Sequence, residues 1–222
     1  MPGAVTDEIE ILQAGHGGGG GDVPAGGDDD GGSGRRGPRV PERAYYTGVQ
    51  LALAGIIMFF MALTSSFLVR KGLGNDWIAF ALPPVIWVNT LMLLASSATL
   101  EIARSNLRHE GDLDAIEGFR RWWGITIALG LVFLGGQLLV WRELAAQGVF
   151  LSSNPSSSFF YLLTALHGLH LIGGVIVLLY VRFKNWGRSP ISQSAGAGLA
   201  AIYWHFLSGL WVFLLALLYL GR

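Results

Sequence analysis

The order of apolar and polar positions divides the chain in two. From Tyr45 onward the apolar residues fall in five blocks, roughly 48–69, 77–103, 123–144, 159–181 and 198–220. A helix rising about 1.5 Å per residue needs about 20 apolar residues to cross a hydrocarbon core of about 30 Å. Each block meets that length. A membrane strand is only about 9–11 residues of strict alternation. No such alternation is visible, which excludes a barrel. The pattern predicts an all-α polytopic transmembrane helix bundle of five spans. Pro83 and Pro84 fall within the first two turns of the second block. Proline is least damaging there, because the first N–H groups of a helix have no intrahelical partner. Aromatic residues stand at block ends: Tyr45, Tyr46, Trp77, Trp122, Trp123, Trp141, Trp186 and Tyr219. That placement matches an interfacial belt.

Residues 1–44 form a separate zone, with five consecutive glycines from Gly17 to Gly21 and the run Asp28-Asp29-Asp30. Such a stretch cannot bury enough apolar area to offset its ordering entropy, so a disordered cytoplasmic tail is expected. It lacks the basic start and apolar core of a secretory signal, so the spans themselves are expected to direct insertion. Composition agrees with a membrane chain: 52% of residues are hydrophobic and 14% charged, against about 25% charged in soluble domains. There is no cysteine, which excludes disulfides, thiolate metal sites and iron–sulfur ligation. Lys+Arg and Asp+Glu are both 15, so no global field points to nucleic acid. The positive charges are unevenly placed. Eleven of the 15 lie in the tail and in the loops 104–122 and 182–197, leaving Arg70, Lys71, Arg142 and Arg222 on the other side. This predicts a cytoplasmic N-terminus and a C-terminus outside.

Polar groups at hydrocarbon depth are costly, so each calls for a reason. Glu101 stands near the cytoplasmic end of the second span, with Arg104 one turn along on the same face. The pair reads either as an interfacial ion pair snorkelling to water or as an anchor for an anionic lipid or partner subunit. Gln137, in the third span, is expected to bond a neighbouring helix. His167 and His170 share a face of the fourth span, and His205 lies in the fifth. Counting rise per residue, His170 and His205 fall within roughly one turn of each other in depth. They could ligate a haem iron between facing helices, or simply hydrogen-bond helices and lipid headgroups. Three imidazoles cannot populate a multi-histidine haem–copper centre. Gly130, Gly135, Gly136, Gly168, Gly173, Gly174 and Gly209 suit close helix approach in a compact bundle.

Thr164-Ala165-Leu166-His167-Gly168-Leu169-His170 resembles the histidine–glycine–leucine–histidine signature of the cytochrome c oxidase subunit III family. Tyr203-Trp204-His205-Phe206, followed by Trp211, resembles that family's last-helix motif. Leu129 to Glu143, centred on Gly136-Gln137, resembles its middle helix, and Trp87 to Glu101 the second helix of the short bacterial form. Met58-Phe59-Phe60 resembles the end of another family motif. The resemblance runs from about Tyr45 to the C-terminus and agrees with the five-span count.

The resemblance implies a non-catalytic, non-redox subunit of an aerobic respiratory complex that reduces dioxygen to water and pumps protons. It implies packing against catalytic subunit I and subunit II, phospholipid binding, and support of proton uptake and stability in turnover. No cofactor is expected on this chain; haem and copper are expected in the catalytic subunit. The implied location is the bacterial inner membrane, as a multi-pass protein. Glu101, Arg104, Gln137, His167, His170, Trp204 and His205 are the intramembrane polar and contact residues to which a role attaches. Two positions depart from the family: Ile56 and Ser208 stand where carboxylates are usual. Neither can exchange a proton, which puts a proton-antenna role there in doubt. The other readings are a subunit III-like accessory protein of a nitric oxide reductase and a small membrane cytochrome b.

Overall fold

A computed structural model describes residues 42–73, 82–106, 113–184 and 190–221. The glycine-rich tail as far as residue 41, Trp77, Trp186, Arg108 and Arg188 lie outside the described residues. All regular structure among the described residues is helical: α1 (Glu42–Leu73), α2 (Val85–Asn106), α3 (Leu113–Ala146), α4 (Pro155–Lys184) and α5 (Pro190–Leu220). All five are long and apolar enough to cross a membrane. They extend beyond the apolar blocks because helical hydrogen bonding continues into the polar flanks. The exception is the start of α2. Pro83 and Pro84 precede the helix rather than lying within it, and their carbonyls accept from the N–H groups of Ile86 and Trp87 at 3.1 Å. Two consecutive prolines supply no N–H, so the ladder begins after them.

The α3–α4 turn is written in its residues. Gly148 takes a φ of 78° and its N–H bonds the Ala145 carbonyl at 3.0 Å, closing the end of α3. Glycine takes this left-handed conformation without a Cβ penalty. Asn154 then caps α4, its Oδ1 accepting the Ser157 N–H at 3.0 Å, and Pro155 occupies the first helical position.

α2, α3, α4 and α5 pack in a ring, each against the next, and α5 closes on α2. α1 lies outside the ring and, among the described helices, packs against α4 and α5. It attaches by a single stripe: Phe60 and Phe67 are buried, Phe60 edge-on to His170 and Phe67 edge-on to Phe159, both at 5.6 Å. Lys71 Nζ reaches the Leu220 carbonyl at 3.4 Å, so α1 and α5 end on the same side. The core of the ring is aromatic, with Trp123, Phe133, Phe160, Trp204 and Trp211 all at most 1% exposed.

Trp123 is therefore not part of an interfacial belt. Its indole N–H donates to the Leu178 carbonyl at 3.0 Å inside the bundle. Trp141 is half-buried and donates to Thr164 Oγ1 at 3.1 Å. Both stand near span ends, but their sides of the helix face neighbours rather than lipid.

Candidate functional site

Small polar residues on α2 meet the tryptophans of α5. Trp211 Nε1 donates to Thr90 Oγ1 at 3.0 Å, and Thr90 in turn donates to the Ile86 carbonyl at 2.7 Å. One layer along, Trp204 Nε1 donates to Ser96 Oγ at 3.0 Å, and Ser96 donates to the Leu93 carbonyl at 2.6 Å. Trp141, Thr164 and the Phe160 carbonyl repeat the arrangement between α3 and α4. Each hydroxyl uses its proton on its own helix and its lone pair on a neighbour. That satisfies a buried indole without leaving a polar atom bare in an apolar surround. Asn89 Nδ2 donates to the Phe133 carbonyl at 3.1 Å, and Thr99 meets Thr126 at 2.9 Å, joining α2 to α3.

Two glycines make this possible. A Cβ at Gly130 would stand 2.6 Å from the Trp204 ring, and one at Gly136 would overlap the Asn89 amide. Gly174 is close-packed against Trp204 and Leu207. Gly135, Gly168 and Gly209, by contrast, have open space where a side chain would go, so they do not serve close helix approach. Gly209 borders an apolar groove of about 340 Å³ between α1 and α5.

The three membrane histidines have different surroundings. His167 is fully buried, 6.1 Å from the Phe133 ring and 5.1 Å from Trp211. Its ring nitrogens, and the side-chain amide of buried Gln137, have no hydrogen-bond partner among the described residues. Gln137 therefore does not make the interhelical bond expected of it. His170 Nδ1 is 2.7 Å from the Leu166 carbonyl, one turn back on its own helix. The α5 residue facing it is Tyr203, whose hydroxyl donates to the His170 carbonyl at 3.1 Å. Of the two readings open for His205, ligand partner of His170 or hydrogen bond to a neighbouring helix, the geometry matches the second. It turns to α2, where its Nδ1 lies 2.7 Å from Ser97 Oγ and its Nε2 3.6 Å from Glu101 Oε2. Tyr203 and His205 are two residues apart and so project about 200° apart around α5.

Glu101 also accepts from Arg104 Nη1 at 2.9 Å, and Ser97 donates to Ser208 Oγ at 3.3 Å. Ser208 donates to the Trp204 carbonyl at 3.0 Å. Close contacts thus link His205 Nδ1 through Ser97 and Ser208 to the Trp204 carbonyl. Arg104, Glu101, His205, Ser97 and Ser208 form one polar seam along the outer edge between α2 and α5. Ile56 is half-buried against the core. Sequence reasoning missed Asn89, Thr90, Ser96, Ser97 and Thr99. Their recurrence at helical spacing within an otherwise apolar span was the available signal. Among the described residues no three His, Asp or Glu side chains gather as a metal site.

The sequence model of the family described as cytochrome c oxidase subunit III matches residues 40–221. This chain belongs to the cytochrome c oxidase subunit III family. A cytochrome c oxidase subunit 3 of Thermostichus vulcanus is 33% identical over 187 residues, covering 78% of this chain and 85% of the relative. A probable cytochrome c oxidase subunit 3 of Mycobacterium tuberculosis (strain ATCC 25618 / H37Rv) is 33% identical over 185 residues, covering 79% and 87%. A cytochrome c oxidase subunit 3 of Bacillus sp. (strain PS3) is 29% identical over 195 residues, covering 82% and 92%. The chain is a subunit III of a haem–copper oxidase and a multi-pass plasma membrane protein. As subunit III it forms a complex with the other oxidase subunits. Neither the nitric oxide reductase reading nor the cytochrome b reading is favoured.

Proposed function

We propose that this subunit III is the non-redox partner of subunits I and II. It holds membrane phospholipid and supports proton uptake and the working lifetime of the catalytic subunit. The observation that carries this reading is the family match over residues 40–221. The surroundings of the histidines favour it over a haem site: His167 is enclosed by aromatic rings, His170 bonds its own helix, and His205 is engaged by α2. Haem and copper then reside in the catalytic subunit. The apolar groove between α1 and α5 suits a phospholipid acyl chain. Glu101, Arg104 and His205 contact lipid or a partner, whereas Gln137, His167, His170 and Trp204 serve the bundle itself. The bias of eleven of the 15 Lys and Arg to one side supports a cytoplasmic N-terminus.

The test is to purify the tagged full-length chain from its native membrane in mild detergent and assay what accompanies it for haem and copper. A haem- and copper-bearing subunit in fixed ratio is expected. Changing His170→Ala should leave the haem content unchanged and shorten the active lifetime of the complex. A Soret band carried by this chain alone, and lost on His205→Ala, would overturn the non-redox reading.

A further inference from the structure

Two buried side chains inside the bundle are left without a protein partner. His167 on α4 is fully buried and Gln137 on α3 is 3% exposed. Neither ring nitrogen of the one, nor either amide atom of the other, makes a hydrogen bond among the described residues. The two stand at one level. Gln137 lies one turn from Phe133 and one turn from Trp141 on the same face of α3. Phe133 meets the His167 ring, and Trp141 bonds Thr164, one turn from His167 on α4. Gln137 therefore falls between two contacts to the stretch of α4 that carries His167.

The polar groups around them are already committed. The Trp211 indole, 5.1 Å from the imidazole, donates to Thr90, and Trp141 donates to Thr164. The Thr164 hydroxyl gives its proton to the Phe160 carbonyl at 2.7 Å. Four bare polar atoms at hydrocarbon depth are costly. In its neutral form an imidazole offers one donor and one acceptor, and a carboxamide offers two donors and an acceptor oxygen. Water donates and accepts equally well, complements both groups, and spans a gap too wide for a direct bond.

We infer that the bundle encloses a hydration site between α3 and α4, where ordered water bridges His167 to Gln137. The bridge joins the two helices between the direct bonds that Trp123 and Trp141 make nearer their ends. It belongs to the bundle itself and holds whichever subunits surround the chain.

Electron cryomicroscopy of the full complex in lipid nanodiscs, at a resolution that shows ordered water, tests this directly. Density is expected within about 2.7–3.2 Å of both the His167 ring and the Gln137 amide. A direct bond between the two side chains, or polar atoms facing only apolar groups, would overturn the site. Independently, Gln137→Leu and His167→Phe should each strand the remaining group and shorten the half-life of the purified complex at fixed temperature about threefold or more. The double variant removes both groups together and should outlast either single one. A double variant whose loss equals the product of the two single losses would make the groups independent and overturn the bridge.

Discussion

α1 and α5 are both long apolar helices ending on the same side of the molecule, yet 17% of the apolar stretch of α1 is buried inside the bundle against 44% of that of α5. Apolarity suffices to place a helix in a bilayer, but lipid is as apolar as leucine and gives no reason for one helix to choose another. Small residues and polar bonds supply that choice. α5 offers Trp204 and Trp211, which find hydroxyls on α2 and, at Trp204, a glycine on α3. α1 offers one stripe built on Phe60 and Phe67.

That contrast can be broken by measurement. The largest effect is expected at Gly130→Leu, because the new side chain would enter the space of the Trp204 ring. Overpacking of this kind costs about 1–3 kcal/mol, read as a shift in the unfolding midpoint in mixed detergent micelles. A smaller loss, about 1–2 kcal/mol, is expected for Thr90→Val. It keeps the shape of the side chain and strands the Trp211 indole N–H without its acceptor. The smallest is expected at Gly55→Leu on α1, where a side chain meets open space. Its effect should stay within about 0.5 kcal/mol, as for changes away from packed features. If Gly55→Leu proved as damaging as Gly130→Leu, α1 would be packed as tightly as α5 and the contrast would fail.

The sequence made the spans legible because crossing a bilayer demands length and apolarity, and both are written locally. Depth was legible too, since rise per residue is constant. Direction around the helix was not. Equal depth leaves open whether His170 and His205 meet, because which way His205 points depends on where α2 lies, and no single helix encodes that. The same holds for Trp123: its position near a span end suggests an interface, while its facing side contacts α4. The bonding role of Ser96 and Thr90 is not legible in the sequence, because a hydroxyl becomes significant only when the indole opposite is known. The Glu101–Arg104 pairing, by contrast, was readable directly, because both residues belong to one helix three positions apart.

The placement of α1 outside the ring also bears on how the molecule is made. Its neighbours, α4 and α5, leave the ribosome only after α2 and α3 have been made. At synthesis rates of about 5–20 residues per second, α1 must reside in the bilayer on the order of several seconds before its first lasting contact can form. Its nearly unbroken apolar surface equips it to wait there alone, surrounded only by lipid.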